Sequence, residues 1–171
     1  FKDFDQLFSA FEQQVLHFVD IKVRGNNIIE RLYAAHMPAP FLSLLIDDCI
    51  AAGRDYHDGG ARYNTSYIQG VGIGSLTDAM NAVKRHVFEQ NDLDMHDLLA
   101  ALAADFPDER TRLLLVNRSP RYGNDDPAAD AVMQRIFDAY FNAVDGRPNT
   151  RRGQYHINML PTTVHVYFGS V

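Results

Sequence analysis

The sequence predicts an α/β fold, and two observations lead to this prediction. Segments with helical periodicity and segments with β propensity follow the order helices, strand, helices, strands, without an internal repeat or a linker rich in Gly, Ser or Pro. The connections between the β segments are long and helical, which favours parallel pairing. Residues 1–171 are therefore expected to be a single segment of a larger sheet or barrel, since three strands are too few to close either one.

The first third of the chain predicts two helices. Apolar residues recur at steps of three and four from near Lys2 up to the prolines within residues 37–40, with a potential interruption at Gly25. A second helix is predicted over residues 41–52, closed by Gly53 in the position where a left-handed glycine commonly ends a helix.

The middle of the chain predicts one strand and three helices. Residues 61–71 alternate loosely between polar and apolar and are rich in residues with β propensity, so they are predicted to form a strand. A helix is expected to begin at Ser75, with Asp78 as the acid of a capping box. The three predicted helices cover residues 75–88, 95–105 after the cap Asp94, and 107–117.

The last third predicts one helix and two β runs. Asp126 followed by Pro127 is typical of a helix start, because a cap precedes a proline at the first helical position. The turn at residues 146–149 is expected to end this helix. The β runs cover residues 154–159 and 163–168.

Composition and charge narrow the class of protein. With 46% hydrophobic residues the chain can bury an ordinary core, and its formal charge of −6 is not concentrated in runs of either sign, so a nucleic-acid partner is not expected. No apolar stretch has the length of a membrane span, and no signal peptide is recognisable, so a cytoplasmic location follows by default. The single cysteine, Cys49, cannot form an intrachain disulfide.

Three alternating glycines, Gly70, Gly72 and Gly74, lie between the predicted strand and a helix. This is the setting in which backbone amides bind a dinucleotide phosphate, so a nucleotide-binding module is one hypothesis. The spacing is G-x-G-x-G rather than G-x-G-x-x-G, and no second strand ending in an acid follows. We favour the alternative that these glycines permit close backbone approach and a turn.

Other residues that could bind a metal or take part in catalysis each have an ordinary structural explanation. Acids and a histidine at residues 92–97 offer metal ligands, but acids at a helix start are favoured by capping, and no metal site is predicted. His156 and His165 lie on the β runs and could share a cavity with Tyr155 or Tyr167. Cys49 lies in an apolar helix without a basic neighbour and is interpreted as a packing residue.

Three sequence blocks, taken together, resemble glycyl radical enzymes, and in particular the dehydratase and C–X lyase branch of the pyruvate formate-lyase-like enzymes. The blocks are GGARYNTSYIQGVGI at 59–73, RYGNDD at 121–126 and LPTTVHVYFGSV at 160–171. They occur in the family's order, and the resemblance covers essentially the whole chain. It implies a fragment of a ten-stranded α/β barrel, mostly helical with a few strands.

The resemblance also implies a chemistry and a set of partners. In this family a glycyl radical, installed by a radical S-adenosylmethionine activase, generates a cysteine thiyl that abstracts hydrogen from a small polar substrate. A Gly-Cys-x-Glu segment is expected around that cysteine, but Cys49 is followed by Ile-Ala. No catalytic residue is therefore assigned in this chain, and the isolated fragment is expected to be inactive, bind no cofactor and depend on the remainder of its polypeptide. Anaerobic metabolism and a homo-oligomer are also expected.

Some residues of this chain are expected to line the substrate cavity. The third block resembles a strand whose inward side chains shape that cavity, which makes Thr162, Thr163, Val164 and Tyr167 candidates, although only one parity can face inward. Four neutral polar side chains in the region 64–69 suit a small polar ligand, and Asn64 and Gln69 are candidates there. The residues that distinguish glycerol, propanediol, choline, hydroxyproline and isethionate are expected largely outside this segment.

Three hypotheses thus stand beside one another. The leading one is a middle-to-late portion of a glycyl radical dehydratase or lyase. It is motivated by the three ordered blocks and by two ends that look cut, since the chain opens without a methionine and stops where a β run reaches a glycine. The others are an independent small-molecule or nucleotide-binding module and a purely structural domain. A barrel fragment should also expose apolar surface and associate.

Overall fold

The computed structural model describes residues 1–160, which form helices with a short parallel sheet. The α-helices are α1 (Phe4–His36), α2 (Pro40–Ser43), α3 (Asp47–Ala52), α4 (Ile73–Val83), α5 (Met95–Ala103), α6 (Glu109–Arg118) and α7 (Pro127–Val144), and the strands are β1 (Ser66–Gln69) and β2 (Tyr155–Asn158). A 3₁₀ turn covers Tyr56–Asp58, and a π-helical segment, Lys84–Glu89, continues α4. The prediction of a mostly helical α/β fold is confirmed. Among these residues no helix is both long and apolar enough to cross a membrane.

The chain divides into two compact units. One combines residues 1–12 with 72–139. Its core consists of Phe4 and Phe8 from the start of α1, and Val132 and Ile136 from α7. These pairs are spaced four residues apart, as expected for one face of a helix, which is why the apolar period of the sequence predicted both helices correctly.

The other unit combines residues 13–71 with the described part of 140–171. Its core brings together the middle of α1, the end of α7 and both strands. The buried residues are Val19, Val23, Ile68, Ala143, Val144 and Tyr155. The strands are parallel, with Ser66 opposite Tyr155 and Gln69 opposite Asn158, so the predicted parallel pairing is confirmed.

Several predicted boundaries differ from the structure. Helix α1 runs through Gly25 without interruption. Val19 and Val23 before this position are buried, and Asn27 and Glu30 after it accept hydrogen bonds from Tyr155 and Thr150. The predicted second helix is divided into α2 and α3 by a turn at residues 44–46. Gly53 does close α3, in a left-handed conformation with φ of 59°. The strand predicted over 61–71 is reduced to β1, since residues 61–62 form a bend and residues 63–65 and 70–71 have no regular structure.

The start of α4 is the clearest error of prediction. Gly72, with φ of 85°, is the N-cap, and the helix begins at Ile73 rather than Ser75. Asp78 caps nothing, because its Oδ1 accepts a hydrogen bond of 2.8 Å from the backbone N–H of Tyr122. By contrast Asp94 caps α5 and Asp126 accepts from the N–H of Ala128 at the start of α7, as predicted.

Candidate functional site

The two strands have chemically different faces. On β1, Ser66 and Ile68 are buried while Tyr67 and Gln69 are exposed. The parallel register places His156 beside Tyr67 and Asn158 beside Gln69. We call the surface formed by Tyr67, Gln69, His156 and Asn158 the open face; the opposite, packed face carries the core residues of this unit.

A charged network lies beneath the packed face. Glu30 of α1 accepts hydrogen bonds from the Ser66 hydroxyl and from both the backbone N–H and hydroxyl of Thr150, at 3.1 and 2.8 Å. The Arg151 guanidinium lies 3.6 Å from the same carboxylate, with side-chain exposures of only 15% for Arg151 and 16% for Glu30. Arg151 also donates to the Ser66 hydroxyl at 3.2 Å.

The carboxylate of Glu30 is stabilised in its charged form. Burial acts to raise its pKa, but the hydrogen bonds from Ser66 and Thr150 and the charge of Arg151 outweigh burial and hold the pKa below its ordinary value. A buried charge with this many partners is best explained as a structural link between α1 and the segment preceding β2.

Tyr155 lies on the packed face, near the Glu30 carboxylate. Its side chain is fully buried and its phenol donates a hydrogen bond of 2.9 Å to Asn27 Oδ1. Burial, together with the nearby Glu30 carboxylate, raises the pKa of this phenol. Tyr155 therefore faces away from His156, and the hypothesis that these two side chains share a cavity is wrong for this pair, because neighbouring residues of a strand point to opposite faces.

Asn64 lies where the glycine-rich turn enters β1. Its Nδ2 donates to the carbonyl of Ala61 at 2.7 Å, and its own backbone carbonyl accepts from Asn149 at 2.5 Å. Within the part of the chain that the structure describes, its buried Oδ1 has no hydrogen-bond partner. The amide thus stabilises the turn while one acceptor stays unused.

Gln69 and Asn158 hold the chain where it leaves β2. The Gln69 carboxamide donates to the Leu160 carbonyl, and the Asn158 side-chain oxygen accepts from the Leu160 N–H at 2.9 Å. The backbone N–H and the backbone carbonyl of Leu160 are therefore both held by open-face side chains. The other predicted site residues, Thr162, Thr163, Val164 and Tyr167, lie outside the described residues, as does His165.

His156 has an acidic partner that the sequence did not reveal. Its Nδ1 lies 2.5 Å from Oδ1 of Asp145, the residue that follows α7. Asp145 is held by its N–H, which donates to Phe141, and by its neighbour Gly146, whose N–H donates to the Tyr155 carbonyl at 3.0 Å. The imidazole is consequently oriented, and its ring lies 6.3 Å from that of Tyr67 between centroids.

The alternating glycines serve packing and a turn. A Cβ on Gly70 would lie 2.9 Å from both the Tyr140 ring and the Met159 sulfur, whereas Gly72 supplies the left-handed cap of α4. Among the described residues, only the Tyr122 ring lies within 4 Å of a Cβ added at Gly74. These contacts support the interpretation of close approach and turn formation rather than phosphate binding.

The remaining candidates have structural roles as well. Asp92 binds the fully buried His86 at 2.9 Å, and Asp94 accepts from the N–H of His96 as a cap. Among residues 1–160 no group of three or more His, Cys, Asp or Glu is placed to hold a metal ion. Burial, with the charges of Asp55 and Asp48, raises the pKa of the Cys49 thiol, which agrees with a packing role.

Sequence reasoning missed the residues that depend on distant partners. Tyr67 could have been found, because alternation places it on the same face as Gln69. No local signal connects Asp145 to His156, or Glu30 to Arg151, since these pairs meet only when the chain folds.

Comparisons of the sequence with known proteins give a consistent result. The profile of a family described as pyruvate formate lyase-like matches residues 1–169. The trans-4-hydroxy-L-proline dehydratase of Clostridioides difficile is 52% identical over 172 residues, which is 100% of this chain and 22% of that enzyme. The isethionate sulfite-lyase of Desulfovibrio desulfuricans is 33% identical over 177 residues, 100% of this chain and 21% of that enzyme.

Comparisons of the fold with solved structures lead to the same family as the sequence comparisons. The crystal structure of hydroxyproline dehydratase from C. difficile with substrate trans-4-hydroxy-L-proline bound matches 99% of this chain and 22% of its own, with a TM-score of 0.93 and 52% identity. A glycyl radical enzyme from Archaeoglobus fulgidus matches 99% and 22% of the two chains, with a TM-score of 0.88 and 35% identity. This chain spans about a fifth of the length of the relatives it matches.

Proposed function

Because this chain belongs to the pyruvate formate lyase-like family of glycyl radical enzymes, we propose that it forms part of a dehydratase acting on a small polar substrate. The observation that carries the proposal is the match of the whole chain to a dehydratase at 52% identity, in sequence and in fold. The radical-bearing residues belong to other parts of such a polypeptide, and this segment supplies scaffold and cavity wall.

The proposed substrate is trans-4-hydroxy-L-proline. A lyase acting on isethionate is only 33% identical over the same residues, so the hydroxyproline enzyme is the nearer of the two relatives compared. Neutral hydrogen-bonding side chains on the open face suit a substrate that carries hydroxyl, amine and carboxylate groups. Thr162, Thr163, Val164, Tyr167, Asn64 and Gln69 are proposed to contribute to substrate binding.

The accompanying chemistry requires partners beyond this chain. A glycyl radical in the full polypeptide supplies the hydrogen-abstracting chemistry, and a radical S-adenosylmethionine activase is the proposed source of that radical. We also propose a cytoplasmic, homo-oligomeric enzyme of anaerobic metabolism. This chain's own residues are proposed to bind and orient the substrate and to exclude bulk water.

The test uses the full polypeptide that contains this segment. It is activated without oxygen by its activase and S-adenosylmethionine, and the glycyl radical is quantified by electron paramagnetic resonance. Trans-4-hydroxy-L-proline, isethionate, glycerol, propanediol and choline are then supplied separately, and products are identified by mass spectrometry. Loss of water from hydroxyproline, in preference to the other compounds, is expected; a full radical signal with no hydroxyproline turnover would overturn the substrate assignment.

The nucleotide-binding alternative receives no support from the glycines. Gly70 leaves room for the Tyr140 and Met159 side chains, and Gly72 supplies the left-handed N-cap of α4. Calorimetric titration of the chain with common nucleotides is expected to give no heat. A purely structural role would leave every polar group near Asn64 satisfied, whereas its Oδ1 is unpartnered among the described residues.

A further inference from the structure

The open face is a parallel-sheet surface without a covering layer among the described residues. Tyr67 on this face is 60% exposed, while the opposite face is packed against α1 and α7. Parallel sheets in α/β proteins are covered on both faces. In the full polypeptide this face must therefore be adjacent either to packed protein or to an enclosed cavity.

The composition of the open face favours a cavity. Its members, Tyr67, Gln69, His156 and Asn158, all carry hydrogen-bonding groups, whereas a sheet face that packs against helices is dominated by apolar side chains. Gln69 and Asn158 already bond Leu160, and His156 bonds Asp145, but a dry contact would require a partner for every remaining polar atom as well. Water and a small polar molecule satisfy them without that requirement.

We propose that the open face lines the substrate cavity of the full enzyme, and that His156, oriented by Asp145, contacts the substrate directly. The proposal rests on the proposed function, since it assigns a residue to the same substrate site. With Nδ1 donating to Asp145, Nε2 offers a lone pair, which fits a substrate hydroxyl or amine hydrogen. His156 is thus a substrate-binding residue and Asp145 a positioning residue.

The first test measures the accessibility of His156, without and then with bound substrate. The folded full-length enzyme is treated with diethyl pyrocarbonate, and carbethoxylated histidines are located by mass spectrometry. His96, 91% exposed, is the positive control, and the fully buried His86 is the negative control. His156 is expected to react as an accessible residue and to be protected by bound substrate. If His156 resists modification as His86 does, the face is packed by protein and the proposal is overturned.

The second test measures binding without turnover. Unactivated full-length enzyme, which lacks the radical, is titrated with hydroxyproline in a calorimeter. His156→Leu is expected to weaken binding at least about tenfold, with partial rescue by His156→Gln, because a lost hydrogen bond to a charged or polar ligand is of that size. His96→Leu, the matched control with Asp97 beside it, is expected to bind as wild type. Unchanged binding by His156→Leu would overturn the contact.

A positioning role of Asp145 can be distinguished from direct substrate contact by comparing dissociation constants of single and double variants. Asp145→Asn is expected to raise the dissociation constant less than His156→Leu does, with recovery in Asp145→Glu, and to have no further effect in the His156→Leu background. An Asp145→Asn effect that persists without the imidazole would contradict positioning through His156. If hydroxyproline does not bind but another compound of the panel does, the substrate assignment fails, and the same variants are measured with that compound.

Discussion

The side-chain amide of Gln69 donates a hydrogen bond to the backbone carbonyl of Leu160, 91 residues further along the chain. Asn158 completes the arrangement by accepting from the N–H of the same residue. The backbone of Leu160, the last described residue, is therefore held by two side chains of the open face. This relationship connects the glycine-rich block with the third sequence block, which sequence comparison alone treats as separate motifs.

Replacing Gln69 by Leu should weaken this link. The Leu160 carbonyl loses its donor, so the free energy of unfolding is expected to fall by about 1 kcal/mol. Urea unfolding monitored by circular dichroism measures the change, with Gln14→Leu on the exposed surface of α1 as the control. Because both side chains hold the backbone of one residue, Leu160, the effects of Gln69→Leu and Asn158→Leu should be non-additive by at least about 0.5 kcal/mol; strict additivity would contradict a shared role.

The substitution Glu30→Gln tests the buried network. Removing the negative charge leaves Arg151 without its partner, so a loss of about 3 kcal/mol is expected at neutral pH. The matched control is Glu12→Gln, an exposed position on the same helix. Equal stabilities of the two variants would show that the charge of Glu30 contributes nothing.

The pH dependence of stability should change in the same variant. Since the pKa of Glu30 is lowered in the folded state, its contribution is complete above its ordinary value of 4.5 and is lost as pH falls through the folded value. Wild type should therefore lose stability more steeply than Glu30→Gln in this acidic range. Unfolding curves at a series of acidic pH values provide the measurement, and parallel profiles would refute the assignment.

The same change, glycine to alanine, should have opposite effects at two positions. At Gly70 the added methyl would meet Tyr140 and Met159 at 2.9 Å, so a loss of about 1–3 kcal/mol is expected. Gly25 lies inside α1, and no atom of residues 1–160 is within 4 Å of the added methyl, so a gain of about 0.5–1 kcal/mol is expected there. Thermal unfolding of both variants gives the comparison, and a destabilised Gly25→Ala would show that α1 needs flexibility there.

Exposed apolar side chains on and after α2 should drive association of the isolated chain. Phe41 is 86% and Leu45 84% exposed, and these two large hydrophobic residues are only four positions apart in the sequence. Sedimentation velocity is expected to show species larger than a monomer, reduced in the double variant Phe41→Ser with Leu45→Ser. Leu113→Ser, in α6, serves as the control. A strictly monomeric wild-type chain at high concentration would contradict this prediction.

The parts of the fold that were predicted correctly depend on interactions between residues close together in the sequence. The stripes of α1 and α7, the caps Asp94 and Asp126, and the terminating Gly53 all follow from periodicity and short-range hydrogen bonding. The predicted start of α4 was wrong because the Asp78 carboxylate accepts a hydrogen bond from the backbone N–H of Tyr122, 44 residues away, and does not cap the helix. A capping pattern read from sequence cannot reveal such a competing partner.

In the candidate site, too, some features follow from the local sequence and others depend on distant partners. Gln69 was identified from its polarity, and its face now follows from the burial of Ile68 beside it. The orientation of His156 depends on Asp145, and the register of the strands depends on pairing across most of the chain. Residue type therefore suggested hydrogen bonding, but only the fold decides which side chains act together.

The two-faced sheet has a consequence for how relatives of this protein can diverge. Substitutions at Tyr67 and His156 change the open face alone, so they can accumulate without loss of the core. Substitutions at Ile68 and Tyr155 affect the core directly, and a one-residue insertion in either strand would exchange the two faces. In β1 and β2, new specificity is therefore expected to evolve by point changes at every second position, while strand length stays fixed.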